Sequence, residues 1–327
     1  MTNVKVAVIG FGVMGQYHAN NYAAMHQVDL VAVVDPDVRR RVHAEKTFGC
    51  RSYGTVPELL AGEEISAASV AAPTSSHFAV TTGLLDAGVH ALVEKPLAPT
   101  VEEARTLVAQ SEAAGLVLQV GHITRFYEAV QLLNRTVGSP YLIEARRLTP
   151  NARIRDVGVV LDLMIHDIDI ILRLVPPGSK IVDAAVAGHS FESGSLEDVA
   201  AAQLVFDNGC IARLLASRVA VASERNLMVM EHNQTVTLDF SRDPHTELAV
   251  YRPGSVASGT GLVEVNRYSI EEDNPLRREL EHFIARTLQD TEPVGTTEDD
   301  LRSIGVAARL LDNMRTARLD ELEEAFR

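Results

Sequence analysis

An apolar segment, Val4 to Ile9, runs directly into Gly10-Phe11-Gly12-Val13-Met14-Gly15, and a helical pattern follows. A strand that delivers three glycines at these spacings to a helix start predicts a βαβ unit. The glycines permit a tight turn, a close approach of backbone to a pyrophosphate and close packing of helix on strand. The amides and dipole of the helix N-terminus favour an anion at the same place. A second apolar run, Leu30 to Val34, ends in Asp35, 20 positions after Gly15. A carboxylate there accepts hydrogen bonds from the hydroxyls of an adenosine ribose and repels a 2′-phosphate, which predicts NAD as the dinucleotide. Arg39 to Arg41 stand near enough in sequence to keep NADP open as a second cofactor.

Strand and helix patterns alternate through the first third of the chain. Further strand segments at Arg51 to Tyr53, Ala67 to Ala72, Ala91 to Val93 and Leu116 to Val120 bring the total to six, separated by helical patterns. This predicts an α/β domain over residues 1–120, with a doubly wound parallel sheet. The texture changes over residues 121–327. Longer strand patterns occur at Tyr141 to Leu148, Ile181 to Ala187, Asp198 to Phe206, Ile211 to Ser217, Asn226 to Glu231, Thr235 to Phe240 and Glu247 to Tyr251. Asn208-Gly209 is a hairpin turn signal between two of them. Helical patterns are few: Val157 to Val175, capped by Asp156, then Asn274 to Leu288 and Thr297 to Arg315. An α+β domain with a mostly antiparallel sheet follows. Its strands carry more apolar surface than these helices cover, which predicts that one sheet face meets a second copy, giving a homodimer or homotetramer.

The formal net charge of −14 argues against nucleic acid or an anionic membrane as a partner, since both demand a positive field. Cys50 and Cys210 are isolated from each other and from any His-rich spacing, so neither a disulfide framework nor a metal site is predicted. A strand pattern from residue 4 and the lack of a membrane-spanning apolar stretch complete the expectation of a cytoplasmic protein.

Two motifs could carry chemistry. Glu94-Lys95-Pro96 ends a strand of the parallel sheet, at the carboxyl edge where ligands lie in such folds. A lysine there can donate a hydrogen bond to a substrate hydroxyl and stabilise a developing alkoxide. The alternative is a surface lysine paired with Glu94. The second motif is the helical run Leu161 to Asp169, in which Asp162, His166 and Asp169 share one face at spacings of four and three. A carboxylate beside an imidazole sets its tautomer and raises its basicity, as proton transfer requires. A buried polar network that fixes the helix is the competing reading, and a metal site would need a further ligand that the sequence does not place.

The segments VAVIGFGVMG, APTSSHF, ALVEKPLAPTVEEA and VVLDLMIHDID together resemble the glucose–fructose oxidoreductase / inositol dehydrogenase / MocA family over nearly the whole chain. The resemblance implies a Rossmann domain followed by an open-faced sheet domain, and NAD(P)-dependent oxidation or reduction of sugars and cyclitols. It implies that Ala72, Pro73, Thr74, His77 and Glu94 join the glycine loop in binding the cofactor. Lys95 would then touch the reacting hydroxyl, His166 would be the acid/base and Asp162 would assist it. A cis bond between Lys95 and Pro96 is implied as well. Where family members often pair two glycines before the catalytic Asp, this chain has only Gly158.

VGHITRFYEAV and RIRDVGVVLDLMIHDIDI are similar to the UDP-N-acetylglucosamine 3-dehydrogenase branch of that family, which implies substrate contacts from His122, Arg125, Phe126, Arg153 and Arg155. The residues point the same way. Arg125, Arg135, Arg146, Arg147, Arg153 and Arg155 face only Glu128 and Glu144 between residues 125 and 155. Such a patch suits a diphosphate-bearing substrate, although solvated arginines on a strand edge give the same pattern. Inositol or a free sugar is the runner-up substrate. A non-catalytic NAD-binding regulator is a separate possibility, against which the retention of Lys95, Asp162 and His166 argues.

Overall fold

The computed structural model describes residues 3–150, 156–191, 196–241, 246–253, 263–270, 274–289 and 291–316. The chain divides into two units: residues 1–126 with 274–304, and residues 127–273 with 305–327.

The first unit holds β1 (Val4–Ile9), β2 (Val28–Val34), β3 (Arg51–Tyr53), β4 (Ala67–Val70), β5 (His90–Glu94) and β6 (Leu118–Gly121). All are parallel, in the order β3-β2-β1-β4-β5-β6. Their side chains are mostly buried, as a parallel sheet with two covered faces requires. Local chemistry sets the helix ends. Before helix Val101–Ala114, for example, the Thr100 hydroxyl accepts the Glu103 amide while the Glu103 carboxylate accepts the Thr100 amide. The order reverses between β1 and β4, so Gly10, Ala71 and Lys95 follow neighbouring strands at one edge of the sheet, where ligands bind in such folds.

One feature departs from the boundary read at residue 120. Helix Pro275–Thr287 belongs to the first unit, with Leu276, Leu280, Phe283 and Ile284 buried in one core with Val4, Val6, Val8 and Phe11. Each such side chain contributes about 1.5–3 kcal/mol on burial, enough to bring a distant segment back to the first sheet.

In the second unit the sheet comprises β7 (Leu142–Pro150), β8 (Ile181–His189), β9 (Val199–Phe206), β10 (Ile211–Ser217), β11 (Val219–Glu231), β12 (Gln234–Asp239), β13 (Thr246–Pro253) and β14 (Val263–Ile270). The order is β14-β13-β12-β11-β7-β10-β9-β8, antiparallel except between β7 and β10. Asn208-Gly209 turns β9 into β10, as its dipeptide predicts. Burial alternates along β7: Ile143, Ala145 and Arg147 are buried, while Leu142, Glu144, Arg146 and Leu148 on the opposite face are half-buried or exposed. The buried face packs on helices Glu128–Thr136 and Ile165–Leu174.

Candidate functional site

The glycine loop is shaped as the sequence predicts. Gly10 has φ +88°, and a Cβ there would lie 2.6 Å from the Ala71 carbonyl oxygen. A Cβ on Gly15 would lie 1.8 Å from the Gly10 oxygen, so helix Val13–Ala23 could not approach β1 with any other residue. Gly12 differs: its missing side chain leaves nothing within 4 Å, and it opens a helix whose N-terminus no side chain caps. Bare backbone beside an uncapped helix start, with Phe11 before and Val13 and Met14 after, is the cradle a dinucleotide pyrophosphate needs. Asp35 is 2% exposed at the end of β2. Its carboxylate accepts the Phe11 amide and the Asp37 amide, each at 2.8 Å, and Arg40 Nη1 lies 3.3 Å away. Asp35 therefore ties β2 to the glycine loop.

Ala72 and Pro73 follow β4, and Thr74 starts helix Thr74–Asp86. His77, one turn further, is buried with Nε2 2.9 Å from the Ala72 oxygen and Nδ1 2.8 Å from the Pro96 oxygen. It clamps the loop after β4 to the loop after β5. The Lys95–Pro96 bond in that second loop is cis. Lys95 is half-buried beside Glu94, whose Oε1 lies 3.0 Å from His18 Nε2. Burial alone would raise the Glu94 carboxyl, but the His18 hydrogen bond, with the charges of His18, Lys95 and His77, holds it below its ordinary value. The fully buried Glu279 goes the other way, pushed well above the carboxylate range by burial and then by the Glu94 charge, with Arg125 opposing. His18 carries no motif in the sequence, since its partner Glu94 lies 76 positions along the chain.

His122, Arg125 and Phe126 follow β6. Arg125 is 5% exposed and pairs with Asp300 at 2.7 Å, and His122 Nε2 lies 3.7 Å from the same carboxylate. A Cβ on Gly295 would lie 2.1 Å from Arg125 Nη1, so that glycine makes room for the guanidinium. Arg125 and Phe126 line a small, water-sized cleft with Gln119, His282 and Arg286.

In the second unit, Asp162 lies within a π-helical turn, Val160–Met164, which passes into helix Ile165–Leu174 carrying His166 and Asp169. Asp162 and Asp169 are buried and His166 is half-buried. One detail corrects the sequence reading. Val159, not Asp156, stands at the helix cap, because the amides of Val159 and Val160 are taken by Glu197. Three arginines of the arginine-rich stretch are held by carboxylates. Arg147 is buried in a two-pronged pair with Asp167, Arg146 meets Glu224 at the surface, and Arg125 faces Asp300, while Arg153 and Arg155 lie outside the described residues. Burial would lower the Arg147 guanidinium, but Asp167, with help from Tyr127 and Asp162, keeps it above its ordinary value. Among the described residues no group of His, Cys, Asp or Glu could hold a metal ion, and no helix is long and apolar enough to cross a membrane.

A parallel sheet reversing at β1 and β4, an open glycine loop and a carboxylate closing β2 define a dinucleotide-binding doubly wound domain. The family model for the GFO/IDH/MocA oxidoreductases with an NAD-binding Rossmann fold matches residues 4–122, and that for the GFO/IDH/MocA C-terminal domain matches residues 129–238. The chain belongs to this family. It is 35% identical to UDP-N-acetylglucosamine 3-dehydrogenase of Acidithiobacillus ferrooxidans, over 87% of this chain and 88% of the relative. A solved structure of that enzyme superposes with a TM-score of 0.85 at 31% identity, covering 97% of this chain and 99% of the other. Myo-inositol 2-dehydrogenase of Thermotoga maritima is 25% identical, over 98% of this chain and 99% of the relative.

Proposed function

We propose that this protein oxidises a secondary alcohol of a nucleotide sugar, the 3-hydroxyl of UDP-N-acetylglucosamine, with NAD as hydride acceptor. The observation that carries the reading is 35% identity, over 87% of the chain, to an enzyme named for that reaction. Bound NAD supplies one thing, a site for the hydride that leaves the carbinol carbon. The loop from Gly10 to Gly15 binds its pyrophosphate and Asp35 its ribose, while Ala72, Pro73, Thr74, His77 and Glu94 complete the cofactor's surroundings. Lys95 donates a hydrogen bond to the hydroxyl oxygen, and its charge stabilises the alkoxide character that grows as the hydride departs. His166 accepts the hydroxyl proton, oriented by the Asp162 carboxylate. His122, Arg125 and Phe126, with Arg153 and Arg155, serve the substrate, Arg125 as a cation fixed by Asp300.

Remote binding energy from the diphosphate must hold the sugar, so UDP-N-acetylglucosamine should reduce NAD while free N-acetylglucosamine should not. Absorbance of NADH checks this directly, with myo-inositol run under identical conditions. The identity with myo-inositol 2-dehydrogenase favours that second reading, and faster oxidation of inositol would replace the first by it.

The half-exposed face of the second sheet supports a homo-oligomer. Light scattering at micromolar concentration should give a mass above that of the 327-residue chain, and a monomer mass would end this proposal. Buried free thiols at Cys50 and Cys210 suit a reducing, cytoplasmic setting.

A further inference from the structure

We infer that Glu197 is the positioning residue of the helix that carries Asp162 and His166, an assignment that rests on reading those two residues as the proton-transfer pair. The first amides of any helix have no partner within it, and Val159 at the cap position offers no side-chain acceptor. Glu197, 7% exposed and just ahead of β9, meets both needs. Its backbone oxygen accepts the Val159 amide at 3.1 Å, and its carboxylate accepts the Val160 amide at 2.9 Å. A negative charge at this end of a helix is also favoured by the dipole.

The carboxylate reaches Val160 by lying across the bare backbone of Gly158, where a Cβ would come within 2.1 Å of it. The single glycine ahead of Asp162 thus has a partner 39 positions away that requires it. The adjacent residues complete the grip. Asp198 holds Arg218 Nε at 2.6 Å, and Arg218 Nη1 donates to the Val157 oxygen at 2.9 Å. Beyond the anchor, the Gly158 oxygen accepts the amide of Asp162 itself at 3.0 Å, and the Val160 oxygen accepts the Ile165 amide across the wide π turn. Displacing Glu197 would therefore move the backbone that aims Asp162 and His166.

The test compares Glu197→Asp, which draws the carboxylate back by one methylene, with Glu197→Gln, which keeps a carbonyl at full reach. His166→Asn serves as the reference, and the sugar is whichever is oxidised fastest. A misplacement of about 1 Å can cost ~10²-fold, so Glu197→Asp should lower kcat by about 10- to 100-fold while KM for NAD stays within about twofold. Glu197→Gln should recover most of the turnover, a rescue that a bulk stability role at this site would not produce. Gly158→Ala, which pushes the same carboxylate aside, should repeat the kcat loss. Equal activity in the Asp and Gln variants, whether high or low, overturns the assignment, as does wild-type turnover in Gly158→Ala. Wild-type turnover in His166→Asn discards the proton-transfer reading and this assignment with it. An impaired His166→Asn beside an unimpaired Glu197→Asp discards the assignment alone.

Discussion

Lys95→Met should turn over about 10²–10³-fold more slowly than the wild type while binding NAD with nearly unchanged affinity. Methionine matches the length of the lysine stem and removes only the charged donor, so the loss reports stabilisation of the reacting oxygen. The surroundings argue for a fixed lysine. Pro96 is anchored by His77, Glu94 by His18, and Lys95 is the residue between them. A preorganised donor costs no reorganisation at the moment of reaction, which is why its removal is felt in kcat. Single-turnover NADH formation beside a fluorescence titration with NADH separates the two quantities. Wild-type turnover with normal cofactor binding would remove Lys95 from the chemistry.

Asp167→Ala should destabilise the protein by about 3–5 kcal/mol, because it leaves the Arg147 guanidinium buried without its counter-charge. The pair is two-pronged, with Nε 3.1 Å and Nη2 2.7 Å from the carboxylate oxygens, and it fastens helix Ile165–Leu174 to β7. Urea denaturation measures the loss. Combining Asp167→Ala with Arg147→Met should restore much of the stability, since an apolar pair of similar volume avoids the cost of an isolated charge. An unchanged urea midpoint in Asp167→Ala would show that water reaches Arg147 and that the pair contributes little.

What the sequence makes legible follows the range over which each interaction acts. The glycine loop, Asp35 and the Asn208-Gly209 turn are visible because backbone geometry and hydrophobic runs are local. β14 is not. It is an edge strand whose residues from Val265 to Ser269 are exposed, so packing there asks for no apolar run that the sequence could display. The Lys95 and Asp162–His166 motifs stand out as residue types at fixed spacings, but the groups that hold such side chains do not. Asp300 meets Arg125 from 175 positions away, and Glu197 reaches Val160 from 37. Buried carboxylates of this kind look like solvated surface charge until the fold supplies their partners.

The return of residues 274–304 to the first unit bears on how the chain is made. A ribosome delivers all six parallel strands early, yet the core around Val6, Val8 and Phe11 lacks Leu280, Phe283 and Ile284 until residues 127–273 have also emerged. For that interval the nascent first unit carries an open apolar face, which must be shielded from other chains. Cofactor binding by a fully closed first unit then belongs to the end of synthesis, after the intervening sheet has had its opportunity to form.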